Sequence, residues 1–300
     1  MTEIIKEIPR KVKADFHNHL ITSSRIKDEH FNRAVDLAVY KLGRGGTFGM
    51  IDFADYRYAR LIRSKGYERE YIGEKRNAVY IPEKDVTIVH GQEVPAQFSY
   101  EGKERCGHLL VLGLGWDESV KQYKSLEDTV KQAKGLEATI ILDHPFGYDG
   151  AGKYFRKVNF NLFKDVDAIE TFNAEATIFP FANWKAKEIL LDKISTYNVG
   201  AISTSDGHSL YELGRSWTEI DEPSRKPGEF LQSLRNSVQN TKDAERMENN
   251  FFGLIGAADH IADLKLWMPL ISLAGFGYLY ETQRPEGPKS YLPPGKVREK

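Results

Sequence analysis

The sequence is poor in several features that mark particular classes of protein. Its 300 residues include a single cysteine, Cys106, which excludes an internal disulfide and is typical of a reducing compartment. The longest apolar run, residues 266–280, is shorter than a membrane span and contains Pro269. The first residues are charged and lack the apolar core of a signal peptide. We therefore expect a cytoplasmic protein that does not enter a membrane.

The chain also lacks an excess of charge of either sign. Its 42 lysines and arginines nearly balance 43 aspartates and glutamates, which gives a formal net charge of -1. A charge so close to zero provides no overall attraction to nucleic acid or to an anionic membrane. Nucleic acid is therefore not the favoured partner.

The composition of the chain is sufficient for a large α/β core. Hydrophobic residues make up 41% of it and aromatic residues 12%. Short apolar runs alternate with amphipathic stretches, an order that predicts a parallel sheet, open or closed into a barrel. Residues 97–113 differ, because they read as a hairpin around the loop YEGKERCG. The predicted strands are 12–17, 47–53, 86–92, 108–113, 138–143, 166–171 and 199–204, and the predicted helices are 28–42, 54–65, 125–135, 178–196 and 228–239.

The alternating pattern stops near residue 240. The polar stretch NTKDAERMENN follows, then an apolar segment and a tail rich in proline, glycine and charge. We therefore predict a barrel domain over residues 1–240. Residues 241–300 are predicted to form a helical C-terminal extension that packs on the barrel.

Polar residues recur where the predicted strands end. In parallel α/β folds these ends carry the functional site. In DFHNHL, residues 15–20, alternate side chains share one face of a strand, whereas residues two apart on a helix do not. Five of the eight histidines lie at such junctions. A lone histidine or glutamate beside a strand is usually structural, but imidazoles and carboxylates gathered from several strands favour a metal site without thiolates. The residues at these junctions are His17, His19, Glu93, His108, His144, Glu170, Asp206 and His208.

The ordered set of motifs resembles the PHP (polymerase and histidinol phosphatase) family over residues 12–215. The resemblance rests on a D-x-H-x-H strand, a Gly-x-Glu, a histidine that opens a strand, a His-Pro and a closing S-D-x-H. It implies a distorted TIM-like (β/α)7 barrel with two or three metal ions at its carboxyl end. The matching residues are Asp15, His17, His19, Gly91, Glu93, His108, His144, Pro145, Ser205, Asp206 and His208, with Glu170 and Asn173 in the segment IETFN.

The resemblance also implies a role for each matching residue. One shared carboxylate, that of Glu93, would bridge two divalent ions, which would be Zn, Mn or Fe. Asp15, Glu170 and Asn173 would orient the ligands and the substrate. The implied ligands are His17, His19, Glu93 and Asp206 for the first ion, and Glu93, His108 and His144 for the second.

The sequence departs from the family at the third ion. Phe53 stands where a ligand histidine is expected, and Arg25 stands near the position of another. That would leave His208 almost alone, and one neutral imidazole does not hold a divalent cation against water. Asp52 should point away from the pocket if Phe53 points in, because adjacent strand residues face opposite sides. We predict two ions rather than three, with the Arg25 guanidinium against the substrate phosphate in place of the third.

Two adjacent divalent ions can lower the pKa of a bound water and neutralise charge on a phosphoryl oxygen. The resemblance therefore implies a phosphoesterase acting on a small phosphorylated substrate. His208 is a candidate proton donor to the leaving group, with a hydrogen bond to a loop carbonyl as the alternative. The segment FGYDGAGKYFRK either covers the substrate or is a plain surface loop. Further candidate phosphate contacts are Lys103, Arg105 and Arg215.

Three other functions remain open from the sequence. The same ions would also support hydrolysis of a C–N bond, as in amidohydrolases. Nuclease activity is disfavoured by the balanced charge. A PHP-like scaffold that has lost catalysis is the alternative outside enzymes, and the retained ligand set argues against it.

Overall fold

A computed structural model describes residues 9–20, 26–147, 149–175, 182–188, 196–226 and 228–241. The strands in these residues are β1 (Lys11–Asp15), β2 (Thr47–Asp52), β3 (Glu70–Ile72), β4 (Ala78–Ile81), β5 (Val86–Tyr100), β6 (Lys103–Leu112), β7 (Thr139–Leu142), β8 (Ala168–Asn173), β9 (Gly200–Thr204) and β10 (Thr218–Asp221). The helices are α1 (Asp28–Leu42), α2 (Arg57–Leu61), α3 (Leu126–Gly135), α4 (Gly152–Lys157) and α5 (Phe230–Gln239), and residues 182–188 are also helical.

The ten described strands form one sheet. Eight of them follow the order β10-β1-β2-β5-β6-β7-β8-β9, and β3 pairs with β4, which pairs with β5. Strands β1, β2 and β5 are parallel, as are β7, β8 and β9, whereas β6 runs antiparallel to both of its neighbours. Strand β10 pairs antiparallel with β1 at the end of the order. The sheet curls into a nearly closed barrel, and the predicted α/β fold, a distorted TIM-like barrel, is confirmed.

Side chains connect the two terminal strands of this order, β9 and β10. The Thr218 hydroxyl accepts a hydrogen bond from the backbone N–H of Ser203 at 2.6 Å and donates to the carbonyl of the same residue at 3.2 Å. Beyond the strand end, the Ser205 hydroxyl accepts from the backbone N–H of Ser216 at 2.9 Å. Hydroxyl groups therefore satisfy backbone groups that a regular ladder would have paired.

Thr218→Val tests this connection, because it keeps the side-chain shape and removes the hydroxyl. The buried N–H of Ser203 would lose its acceptor, which should lower the free energy of unfolding by about 1–3 kcal/mol. Thr218→Ser keeps the hydroxyl and should cost only about 0.8 kcal/mol for the lost methyl group. Urea unfolding measures both, and equal costs would show that the hydroxyl does not contribute.

The predicted hairpin at residues 97–113 is present, but its loop was placed wrongly. Strands β5 and β6 pair as far as Tyr100 and Lys103, so the turn consists of Glu101 and Gly102 alone. Both turn residues have positive φ, 51° and 69°, as a type I′ turn requires. The loop prediction failed because the charged start of β6 is exposed and shows no apolar alternation.

Other differences concern short elements. The predicted helix 54–65 is only Arg57–Leu61, and β3, β4 and β10 were not predicted. Short strands such as these give too little alternation to be recognised.

Of the predicted helix 178–196, residues 182–188 are helical and the flanking stretches 178–181 and 189–195 lie outside the described residues. The predicted C-terminal extension also lies outside them, except for Thr241. Among the described residues, no helix is both long and apolar enough to cross a membrane.

Alternate residues of the strands pack into different layers. Ile51, Leu110, Ile141 and Ile202 belong to one buried apolar cluster, which draws from strands around the barrel and from α5. The residues next to them, such as Leu109 and Ile140, pack instead against the outer helices. The strand periodicity places Glu93, His108 and Glu170 on the inner face. The polar site therefore lies on the apolar interior of the barrel, at its carboxyl end.

Candidate metal centre

The two histidines of DFHNHL lie just beyond β1, which ends at Asp15. The loop after β9 holds this segment, because His19 N–H donates to the Gly207 carbonyl at 2.7 Å and Gly207 N–H donates to the His17 carbonyl at 3.2 Å. The neighbouring strand β2 approaches closely at Gly49, where an added Cβ would lie 2.0 Å from the Phe16 carbonyl oxygen. The absence of a side chain at Gly49 therefore allows the histidine segment to lie against the barrel.

The Glu93 carboxylate stands between two pairs of histidines. Its Oε2 lies 3.1 Å from His19 Nε2 and 3.9 Å from His17 Nε2. Its other oxygen, Oε1, lies 3.3 Å from His144 Nε2 and contacts His108 Nδ1. The two oxygens thus face different pairs, which is the arrangement expected of a carboxylate that bridges two ions.

His17, His19 and Asp206 form the first group of donors. His17 Nε2 is 3.1 Å from His19 Nε2 and 3.2 Å from Asp206 Oδ1. One donor atom from each of the three lies within 4.8 Å of the others, and all three residues are buried. Two imidazole nitrogens and a carboxylate oxygen that converge in this way suit a divalent transition metal.

A second group contains Glu93, His108, Asp143 and His144, whose donor atoms also lie within 4.8 Å of one another. Both ring nitrogens of His108, Nδ1 of His144 and both oxygens of Asp143 are buried and make no hydrogen bond of proper geometry. Buried polar atoms in native proteins are nearly always hydrogen-bonded. These atoms and their chemistry therefore fit a bound cation.

Glu170 and Asn173 contact residues of the two donor groups. Glu170 Oε1 lies 2.9 Å from His17 Nδ1 and accepts a hydrogen bond from the Thr204 hydroxyl at 2.7 Å. Its Oε2 accepts from the backbone N–H of His144 at 2.9 Å, and the Asn173 amide donates to Asp206 Oδ2 at 2.9 Å. Burial raises the pKa of Glu170, but His17 more than offsets this and lowers the pKa to about 2. Glu170 therefore stays ionised opposite His17.

Asp15 contacts the backbone rather than the donor side chains. Its completely buried carboxylate accepts from Ser205 N–H at 3.0 Å and from Gly214 N–H at 2.7 Å. Burial raises the pKa of Asp15 to about 6, although the hydrogen bonds from Ser205 and Gly214 oppose the change. Asp15 therefore fixes the loop that carries Asp206, whose own backbone is left-handed with φ of 51°.

His208 lies at the outer edge of the centre. Its Nε2 is 3.5 Å from Asp206 Oδ1 and 3.4 Å from Glu175 Oε2. These three residues form a further group whose donor atoms lie within 4.8 Å of one another, so the prediction that His208 stands almost alone was wrong. Burial lowers the pKa of His208, but the two carboxylates outweigh it and hold the pKa well above its usual value.

Phe53 stacks on the His19 ring, with centroids 3.9 Å apart. The neighbouring Asp52 accepts a hydrogen bond from the backbone N–H of Tyr58, and Asp55 binds Arg57. An aromatic ring thus covers the side of His19 where the sequence lacks the third-ion histidine.

The other predicted phosphate contacts have different placements. Arg25 lies outside the described residues. Lys103 and Arg105 lie on the exposed part of β6 near the hairpin turn, and Arg215 is half-buried in the loop before β10. Cys106 is half-buried in β6. The described cations of this set therefore do not converge on the donors in the way that the histidines do.

Sequence reasoning missed three carboxylates. Asp149 Oδ2 is 3.2 Å from His108 Nδ1 and its Oδ1 is 3.2 Å from His144 Nδ1, so this residue of the segment FGYDGAGKYFRK contacts the second group. Asp143 directly precedes His144, a signal that was visible in the sequence. Glu175, by contrast, follows β8 by two residues, and no sequence signal distinguishes it from an ordinary surface carboxylate.

Fold and site together fit the class of PHP-type metal-dependent hydrolases. A model of the PHP-associated family, PHP_C, matches residues 180–238, which include Asp206 and His208, and supports the assignment of this chain to the PHP-domain family. A solved structure, that of PsfC from Pseudomonas syringae PB-5123, is similar with a TM-score of 0.55 and 15% sequence identity. The similarity covers 86% of this chain and 99% of PsfC, and at that identity it shows the fold alone. No curated protein matches the chain.

Proposed function

We propose that this protein is a metal-dependent phosphoesterase that acts on a small phosphorylated substrate. The observation that carries the proposal is the position of the Glu93 carboxylate between two pairs of histidines. The PHP-family match supports phosphoester hydrolysis as the reaction.

Two divalent ions held by these donors would lower the pKa of a bound water and neutralise charge on a phosphoryl oxygen. The chain's own residues fix the donor atoms in place. Glu170 Oε1 lies 2.9 Å from His17 Nδ1, so with a cation on Nε2 the ring would keep its one proton on Nδ1 and donate it to Glu170. The carbonyl of Ile51 lies 3.2 Å from His19 Nδ1 and has the same effect on that ring.

His208 is the proposed proton donor to the leaving-group oxygen. Burial lowers the pKa of His208, but the carboxylates of Glu175 and Asp206 raise it above its usual value, which favours the protonated ring. Its side chain is 23% exposed, whereas those of His17 and His19 are fully buried. A protonated imidazole at the edge of the centre is suited to transfer a proton as the P–O bond breaks.

Removal and replacement of the metal tests the proposed function. We would strip the protein with a chelator, reload it separately with Mn, Fe, Co or Zn, and assay phosphomonoesters, phosphodiesters and amides in parallel. The proposal predicts no activity in the stripped form and phosphoester hydrolysis after reloading. Amide hydrolysis alone would establish the C–N hydrolase instead, and bound metal without any hydrolysis would favour a scaffold.

The role of His208 makes a separate prediction about the leaving group. His208→Gln should lower kcat for phenyl phosphate by about 100-fold, the range typical of a lost general acid. The same variant should change kcat little for p-nitrophenyl phosphate, because that leaving group needs no protonation. Equal losses on the two substrates would show that His208 contributes to structure or binding rather than to proton transfer.

A further inference from the structure

Asp143 is a completely buried carboxylate that nothing so far explains. It follows β7 directly and is 0% exposed, and neither of its oxygens makes a hydrogen bond. Burial of an ionised carboxylate without a partner is costly, so a group of this kind normally has a donor, a proton or a cation.

His17 Nδ1, the ring nitrogen that Asp143 Oδ1 contacts, is already engaged. Asp143 Oδ1 lies 3.3 Å from His17 Nδ1, but Glu170 Oε1 lies closer to the same nitrogen, at 2.9 Å, and makes the hydrogen bond. One ring nitrogen carries one hydrogen, and Glu170 is better placed to accept it. A hydrogen bond to His17 therefore does not satisfy Asp143.

The other oxygen of Asp143 faces the second group of donors. Asp143 Oδ2 is 3.2 Å from His144 Nε2, the same nitrogen that lies 3.3 Å from Glu93 Oε1. His108 contacts that Glu93 oxygen from another side, and donor atoms of all four residues lie within 4.8 Å of one another. Three of the four, Glu93, His108 and His144, are the ligands already assigned to the second ion.

We propose that Asp143 is a fourth protein ligand of the second ion, through Oδ2. This inference rests on the proposed function only in requiring two bound cations. It makes the two sites alike, since each ion then has two imidazoles, one carboxylate of its own and a share of Glu93. Three carboxylates would then face two divalent ions, which leaves a charge of about +1 rather than +2 on the centre.

The symmetry has a measurable consequence. Because both ions would have the same kinds of ligand, the wild-type protein should bind two Mn ions with similar affinity. The additional carboxylate oxygen is a hard ligand, and oxygen ligands of this kind favour Mn. Spin-coupled di-manganese signals in electron paramagnetic resonance would report that both sites are filled together.

Asp143→Asn is the test, because the amide has the same shape and no charge. The second ion should bind at least about tenfold more weakly than in wild type, and the coupled signal should give way to that of a single ion. Asp167→Asn is the matched control, because Asp167 is also a buried aspartate but precedes β8, at the opposite end of the barrel. It should leave both affinities unchanged.

A second variant, used as the starting protein, distinguishes a ligand of the second ion from a residue that only positions His17. His108→Ala removes a ligand of the second ion and should leave the first ion bound. Adding Asp143→Asn to this variant should not change the affinity of the first ion if Asp143 belongs to the second. A tenfold loss of the first ion in that background would overturn the proposal and make Asp143 a positioning partner of His17.

The wild-type protein provides a measurement that does not depend on any variant folding. In crystals soaked with Zn, Asp143 Oδ2 should lie about 2.0–2.2 Å from the second ion, as a ligand oxygen does. An Asp143 carboxylate with both oxygens clearly beyond this ligand distance from the second ion would overturn the proposal. These readouts measure metal binding and not turnover, so a protein that binds two ions but hydrolyses no phosphoester would refute the proposed function and leave the role of Asp143 tested.

Discussion

Glu93→Gln is expected to empty both metal sites together. The two oxygens of Glu93 face different histidine pairs, so the loss of its charge affects both groups of donors. Loss of a partner that only supports a ligand already costs about 10- to 100-fold in metal affinity, so the loss of a shared ligand should exceed that range at each site. Turnover should fall by at least about a thousandfold.

Metal titration of the purified variant checks this prediction. His108→Ala is the matched comparison, because His108 belongs to the second group alone and its loss should spare the first ion. If Glu93→Gln left one site with wild-type affinity, Glu93 would be a ligand of the other ion only.

Asp206→Asn is expected to abolish turnover while the barrel stays folded. Asp206 Oδ1 lies 3.2 Å from His17 Nε2, and its backbone is left-handed with φ of 51°. Asparagine tolerates that conformation, whereas alanine would add backbone strain to the loss of the ligand. The variant should therefore keep the wild-type circular dichroism spectrum and lose at least about a thousandfold in kcat/KM.

His17→Ala is expected to give the same loss, because His17 belongs to the same group of donors. Wild-type turnover by either variant under saturating metal would remove its residue from the centre. Asp167→Asn again serves as the control for the loss of a buried carboxylate far from the site.

The sequence predicted the barrel and the gathering of donors because both depend on local patterns. Apolar runs located most strands of the barrel, and polar residues at strand ends then identified His17, Glu93 and His144. The antiparallel direction of β6 was also expected, because His108 opens its apolar run whereas the other donors follow theirs. The structure brings these predicted side chains together.

What the sequence could not predict depends on contacts distant along the chain. The hydroxyl of Thr218 connects the terminal strands through side-chain hydrogen bonds, which leave no periodic pattern. Asp15 was expected to orient the ligands and the substrate, but its carboxylate accepts hydrogen bonds from the backbone of residues nearly two hundred positions away. Asp143 was passed over because a carboxylate beside a histidine is ambiguous until its hydrogen bonds are known.

The central claim is that Glu93 joins two metal ions, and anomalous scattering from crystals of the Mn-loaded protein tests it most directly. The account predicts two strong peaks, one among His17, His19 and Asp206 and one among His108, Asp143 and His144, with an oxygen of Glu93 bound to each. A single ion, or two ions of which one does not contact Glu93, would contradict it.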